Sequence, residues 1–135
     1  TLFPYTTLFR SPIDVRKPGV WSKALDIGVN LARQNGATLH VLFVAPKLEH
    51  NLNKFPEDYR PALEKYVKEH MPEDVAAKAV LRSGSAHREI CAAAGELKAD
   101  LIVMGSHDPE MKDALLGSNA SSVVLHAPTS VYVVR

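Results

Sequence analysis

The hydrophobic and polar positions of this chain alternate between two rhythms. Over residues 17–35 the apolar or small residues Trp21, Ala24, Leu25, Gly28, Leu31 and Ala32 recur every three or four positions. That spacing predicts an amphipathic helix, stopped by Gly36. Residues 38–45, TLHVLFVA, form a short β-rich apolar run and predict a buried strand. Residues 46–55 are polar and aperiodic, a connection near whatever binds at the strand ends. A second helix is predicted over 58–70, with Asp58 as its cap and Pro61 tolerated in the first turn. Its inner stripe is Tyr59, Leu63, Tyr66 and Val67. Residues 75–83 contain a weaker third strand. Ser85 caps a third helix that turns Ala86, Ile90, Ala93, Ala94 and Leu97 inward. A strand follows over 99–104. The last helix spans about 118–126, with Ala120, Val123, Val124 and Ala127 inward and Pro128 as its stop, before a terminal strand over 130–134.

Strands that alternate with helices imply right-handed crossovers, a parallel sheet and helices on both faces. The expected class is therefore α/β. In such sheets ligands sit beyond the carboxyl ends of the strands, where neighbouring connections diverge. Asp14, Val44 and Gly105 fall at such ends.

The segment with most chemical content is 101–124, LIVMGSHDPEMKDALLGSNASSVV. An apolar strand breaks at Gly105, and a polar loop reaches Gly117, Ser118 and Asn119 at the start of a helix. Backbone N–H groups at a helix start carry the positive end of its dipole, and glycine admits a phosphate without a Cβ in the way. The pattern is neither a P-loop nor the dinucleotide fingerprint, whose glycine spacings differ. By spacing alone it is equally an ordinary strand-to-helix loop.

Composition narrows the classes. The chain has 135 residues, one domain's worth, 46% of them hydrophobic and 23% charged. A net charge of +1 without a basic run argues against nucleic acid as partner. No apolar run approaches the roughly 18 residues of a membrane span, so no membrane partner is expected. The single Cys91 fits a reducing cytoplasm and reads as a small buried residue. The six histidines, at positions 40, 50, 70, 87, 107 and 126, have no ligand spacing, and no metal site is expected. His107 lies in the loop, within reach of a ribose or phosphate or of a bond that stiffens the loop. No Ser-His-Asp or paired-carboxylate pattern is present, so no catalytic residue is assigned.

Residues 1–11, TLFPYTTLFRS, read as a non-native segment: they match the conceptual translation of a sequencing-adapter oligonucleotide. Pro12-Ile13-Asp14 reads as the end of the first strand, and the domain is expected to occupy 12–135. Arg10 and Ser11 sit where a strand buried on both faces needs apolar residues, so the local structure is expected to shift and expose Arg10.

From Pro12 onward the chain resembles the universal stress proteins, in the branch that carries GSH-x-P and LLGSNA. The resemblance rests on PID, LHVLFV, ADLIVMGSH, LLGSNASSV, HAP and the terminal VYVVR. It implies a five-stranded parallel sheet of order 3-2-1-4-5, a Rossmann-like fold of the adenine nucleotide alpha hydrolase type. It also implies ATP or AMP, with or without Mg2+, at the ends of strands one and four. Carried over residue by residue, it sets the adenine against Asp14 and Val44, with Pro12 and Ile13 shaping the pocket. The ribose lies near Met104 and Gly105, and Gly117, Ser118 and Asn119 bind the phosphates. Asp108 departs from the broad family motif, which has glycine there, and the loop from it to Gly117 is one residue shorter. The F/G-like branch shares that shorter loop. Lys112 stands in the same loop, either solvated or beside the phosphates. The resemblance further implies a homodimer through the terminal strand, where Val131, Val133 and Val134 leave an apolar edge. The expected function is a cytoplasmic nucleotide-binding regulator of the stress response. Slow ATP hydrolysis or self-phosphorylation, and a dimeric scaffold with an empty pocket, are the alternatives.

Overall fold

The computed structural model describes residues 6–10, 22–45, 55–105 and 117–134. Among them, β1 (Thr6–Arg10), β2 (Thr38–Ala45), β3 (Ala77–Ser83), β4 (Leu101–Gly105) and β5 (Ser130–Val134) form one sheet. Its order is β3-β2-β1-β4-β5, and every neighbouring pair is parallel. The helices are α1 (Ser22–Asn35), α2 (Arg60–His70), α3 (Ala86–Glu96) and α4 (Ser118–His126), and a single 3-10 turn, Pro56–Tyr59, precedes α2.

The period-2 pattern of β2 decides the layering. Leu39, Val41, Phe43 and Ala45 pack on one face with Ala24, Leu25, Val29 and Ala32 of α1 and with Leu63, Tyr66 and Val67 of α2. Leu42 points to the opposite face, joining Ile90, Ala93 and Ala94 of α3, Ile102 and Met104 of β4, and Ala120 and Val123 of α4. A strand buried on both sides must read as a continuous apolar run, which is how 38–45 reads. The Phe43 ring meets Tyr59 at a centroid distance of 5.2 Å, tying the 3-10 turn to the sheet.

The central strand is β1. It pairs with β2 from Thr6↔Thr38 to Arg10↔Leu42 and with β4 from Thr7↔Leu101 to Phe9↔Val103. Arg10 is its last residue, level with Leu42 of β2. Pro12, Ile13 and Asp14 lie outside the described residues.

Asp58 does not cap α2. It stands third in the 3-10 turn, where its carboxylate accepts the Phe55 N–H at 2.7 Å. The effect is still an N-terminal cap, moved one turn earlier. Pro61 does occupy the first turn of α2. Val124, assigned to the inner face of the last helix, is 48% exposed, because α4 buries only the stripe of Ala120 and Val123. Cys91 is partly exposed, not buried.

Two helix ends show why the chain turns where it does. Gly36 follows α1 at φ +60°, the left-handed conformation that glycine adopts without penalty. The end of α3 has the same geometry without glycine, since Lys98 sits at φ 51°. There the Ala99 N–H reaches back to the Ala94 carbonyl at 2.9 Å, and the Lys98 N–H to Gly95 at 3.2 Å, which closes the helix.

Candidate functional site

In a parallel sheet all carboxyl ends lie along one edge, and the register places the predicted residues on it. Arg10 pairs with Leu42, so Val44 stands two residues further out on β2. Phe9 pairs with Val103, so Gly105 stands two residues beyond that level on β4. β1 separates β2 from β4. Val44 and Gly105 therefore stand on either side of β1, two strand spacings or about 10 Å apart and within one residue of the same level. β1 is the topological switch point of the sheet.

The start of α4 stands over the same edge. Ala120 and Val123 anchor the helix in the cluster that holds Met104 of β4. Gly117 is the N-cap, with no side-chain cap bond and no acidic residue in the first turn. The first intrahelical donor bond is from the Ser121 N–H to the Gly117 carbonyl, at 2.9 Å. The N–H groups of Ser118, Asn119 and Ala120 precede it and have no acceptor within the helix. Ser118 and Asn119 are exposed and Gly117 is half-buried. Gly117 has φ −64° and ψ 158°, a conformation open to any residue. What glycine contributes there is the missing Cβ, not conformational freedom. The arrangement can accept an anion on main-chain donors at the positive end of a helix.

Of the predicted site residues, Val44, Met104, Gly105, Gly117, Ser118 and Asn119 are described, all at the carboxyl edge. The Met104 side chain is fully buried beneath α3 and α4, so its main chain is the part that can line a crevice. Val44 is partly buried against the same cluster and keeps an exposed part. Pro12, Ile13, Asp14, His107, Asp108 and Lys112 lie outside the described residues.

A charged cluster further along the edge has no counterpart in the sequence reading. Arg82 of β3 donates from Nε to Glu89 at 2.9 Å and from Nη1 to Glu96 at 2.6 Å. The hydrogen bond from Arg82 holds the Glu96 carboxyl below the ordinary carboxylate range. The cluster clasps β3 to α3 beside an open cleft of about 280 Å³, lined by Pro56, Glu57, Leu81, Arg82, Ser83 and Glu89. The partners are seven and fourteen residues apart, and only the crossover from β3 to α3 brings them together. Among the described residues, no helix is long and apolar enough to cross a membrane.

Comparison with known proteins bears on the whole chain. Residues 16–135 match the model described as "Universal stress protein family". Universal stress protein G of Shigella flexneri is 35% identical, over 92% of this chain and 95% of its own length. Among solved structures, the universal stress protein UspA of Lactobacillus plantarum superposes with a TM-score of 0.69 at 21% identity, covering 98% of this chain and 99% of its own. A universal stress protein in complex with cAMP superposes with a TM-score of 0.63 at 20% identity, covering 97% of each chain.

Proposed function

The chain belongs to the universal stress protein family, and on that premise we propose that it is an adenine-nucleotide-binding regulatory protein of the stress response, acting in the cytoplasm as a homodimer. The phosphates of ATP or AMP bind at the start of α4, on the N–H groups of Ser118 and Asn119 and beside Gly117. The ribose lies against the main chain of Met104 and Gly105, with His107 in the adjoining loop. The adenine lies between Val44 and Asp14, flanked by Pro12 and Ile13. The nucleotide favours one arrangement of the connections 46–55 and 106–116, and partner proteins read that arrangement.

One observation carries the reading. The N–H groups at the start of α4, which have no acceptor within the helix and, among the described residues, no side-chain cap, share an edge with the β1–β4 switch point. The cAMP complex of a protein with the same fold supports adenine as the base. Support for the dimer comes from β5, which lies at one end of the strand order with Tyr132 44% exposed. Leu125 of α4, 78% exposed, adds apolar surface. A bare strand edge with exposed apolar neighbours favours pairing with a second copy.

Thermal unfolding in the presence of ATP and Mg2+ tests the proposal. Ligand at a hundred times its Kd adds about 2.7 kcal/mol to stability. For a domain of this size the melting temperature rises by roughly 5–15 °C. No shift at millimolar ATP, ADP or AMP sinks the reading. Mass spectrometry of small molecules released on denaturing the purified protein identifies the nucleotide directly.

A further inference from the structure

His40 stands out because nothing in the reading above uses it and the fold treats it unlike any other polar residue described. It is the third residue of β2, and its register partners are Leu8 on β1 and Lys78 on β3. It is 8% exposed and is the buried polar residue of the core, among the described residues. Its Nδ1 is sealed from solvent and has no hydrogen-bond partner. A neutral imidazole can leave one ring nitrogen as a bare lone pair. A protonated ring must place a charged N–H there. With nothing to accept that proton, the charged form is penalised by geometry alone.

We propose that His40 is a proton-sensitive latch in the sheet: the fold holds its ring neutral, and protonation loosens the pairing of β2 with β3.

The pairing with β3 gives way for two reasons. Lys78 sits directly across from His40, and it is exposed and so cationic. Like charges directly opposite each other on paired strands repel. β3 is also an edge strand, bonded on one side only, whereas β1 is held from both sides. Among the described residues, the other charged or ionisable groups on elements packed against this face are Arg10 on β1, Arg82 on β3, His87, Arg88, Glu89, Cys91, Glu96 and Lys98 in and just after α3, Asp100 before β4 and His126 on α4. Arg82 is already closed by Glu89 and Glu96. The inward residues of α3 are the apolar Ile90, Ala93 and Ala94. Among the described residues, then, no anion faces the ring to stabilise a cation. Burial first, and the Lys78 charge second, pull the His40 pKa below its ordinary 6.5.

The direction of the pH effect follows. The folded state binds the proton more weakly than the unfolded state. The stability contribution is whole above the unfolded pKa, about 6.5 for histidine. It falls as the pH drops from there toward the folded value. Within that window one proton changes the unfolding equilibrium constant by up to about tenfold per pH unit.

The test compares urea unfolding from pH 7.5 to 5 for the intact protein, His40→Gln and His40→Leu, without nucleotide. The other histidines are common to all three, so the difference isolates His40. The expected result is a steeper loss of stability with acid in the parent, by up to about tenfold in equilibrium constant per pH unit. Parallel profiles overturn the proposal. If neither variant folds, an NMR titration of the His40 ring in the parent decides: a midpoint below 6.5 supports the latch, and one at or above it overturns it. Lys78→Gln is expected to raise that midpoint. Amide protection factors locate the loosening. Loss at Val80 and Arg82, whose N–H groups face β2 in this register, ahead of β4 and β5 supports it, and uniform loss across the sheet overturns the assignment to β3.

Discussion

Ser118→Asp separates the phosphate site from ordinary helix stability, because it is expected to move two measurements in opposite directions. Ser118 is the first residue of α4 and is exposed, so the substitution disturbs no packing. The first turn holds no acidic residue at present. A carboxylate there meets the positive end of the helix dipole and adds about 0.3–1 kcal/mol, which for a domain of this size raises the melting temperature by roughly 1–5 °C. The same carboxylate lies where a phosphate is proposed to bind. Two unit charges about 5–6 Å apart repel by about 1–3 kcal/mol, taking effective dielectrics from bulk water to a protein surface. The ATP dissociation constant therefore rises by roughly 5- to 150-fold, and by less as salt screens the pair. Calorimetric titration with ATP, beside thermal melting of the free protein, reads both effects. Ser118→Asn is the neutral control, expected to leave both nearly unchanged. A higher melting temperature with unaltered ATP affinity would refute the reasoning, since it would confirm the dipole and place the phosphates elsewhere.

Three further outcomes are expected. Lys98→Gly relieves a lysine held at φ 51° and stabilises the protein by about 1 kcal/mol, read as a higher urea midpoint at constant slope; a lower midpoint would mean that Lys98 makes a compensating contact. Ile102→Ala removes a fully buried side chain from between the sheet and α3 and costs about 2–5 kcal/mol, a large share of a domain's stability. A loss under about 1 kcal/mol would show that this face of the core collapses freely. Tyr132→Lys places a charge on the edge strand, where the tyrosine is 44% exposed. It is expected to turn the proposed dimer into a monomer by sedimentation, and a dimer that survives the substitution would move the interface away from β5.

Much of the architecture was legible because buried strands and amphipathic helices must declare themselves in their spacing. Residues 39–43 and Ala45 of the run 38–45, the stripe of Leu63, Tyr66 and Val67, and the pair Ile90 and Ala94 all lie inside. The helix over 118–126 also sits where the Gly117 and Pro128 punctuation placed it. Local patterns failed where the deciding contact was distant. Val124 has the right residue type for the inner face, yet α4 is a surface helix with a narrow buried stripe. Asp58 has the right type for a cap, but the Phe43–Tyr59 contact fixes a 3-10 turn ahead of α2 and moves the cap with it.

Of the candidate site, the sequence supplied the glycine punctuation and the helix start, because both are local requirements of the backbone. The sequence by itself thus determined the alternation of strand and helix, the residues that turn inward and the donors at the start of α4. Only the tertiary structure decided that residues 6–10 supply the central strand, that the Met104 side chain is core, and that Arg82 closes with Glu89 and Glu96. It also decided that His40 lies sealed opposite Lys78. The physical reason is common to all four. Parallel pairing joins residues tens of positions apart, so which strand lies between which, and what faces a buried side chain, is a property of the register and not of any window of sequence.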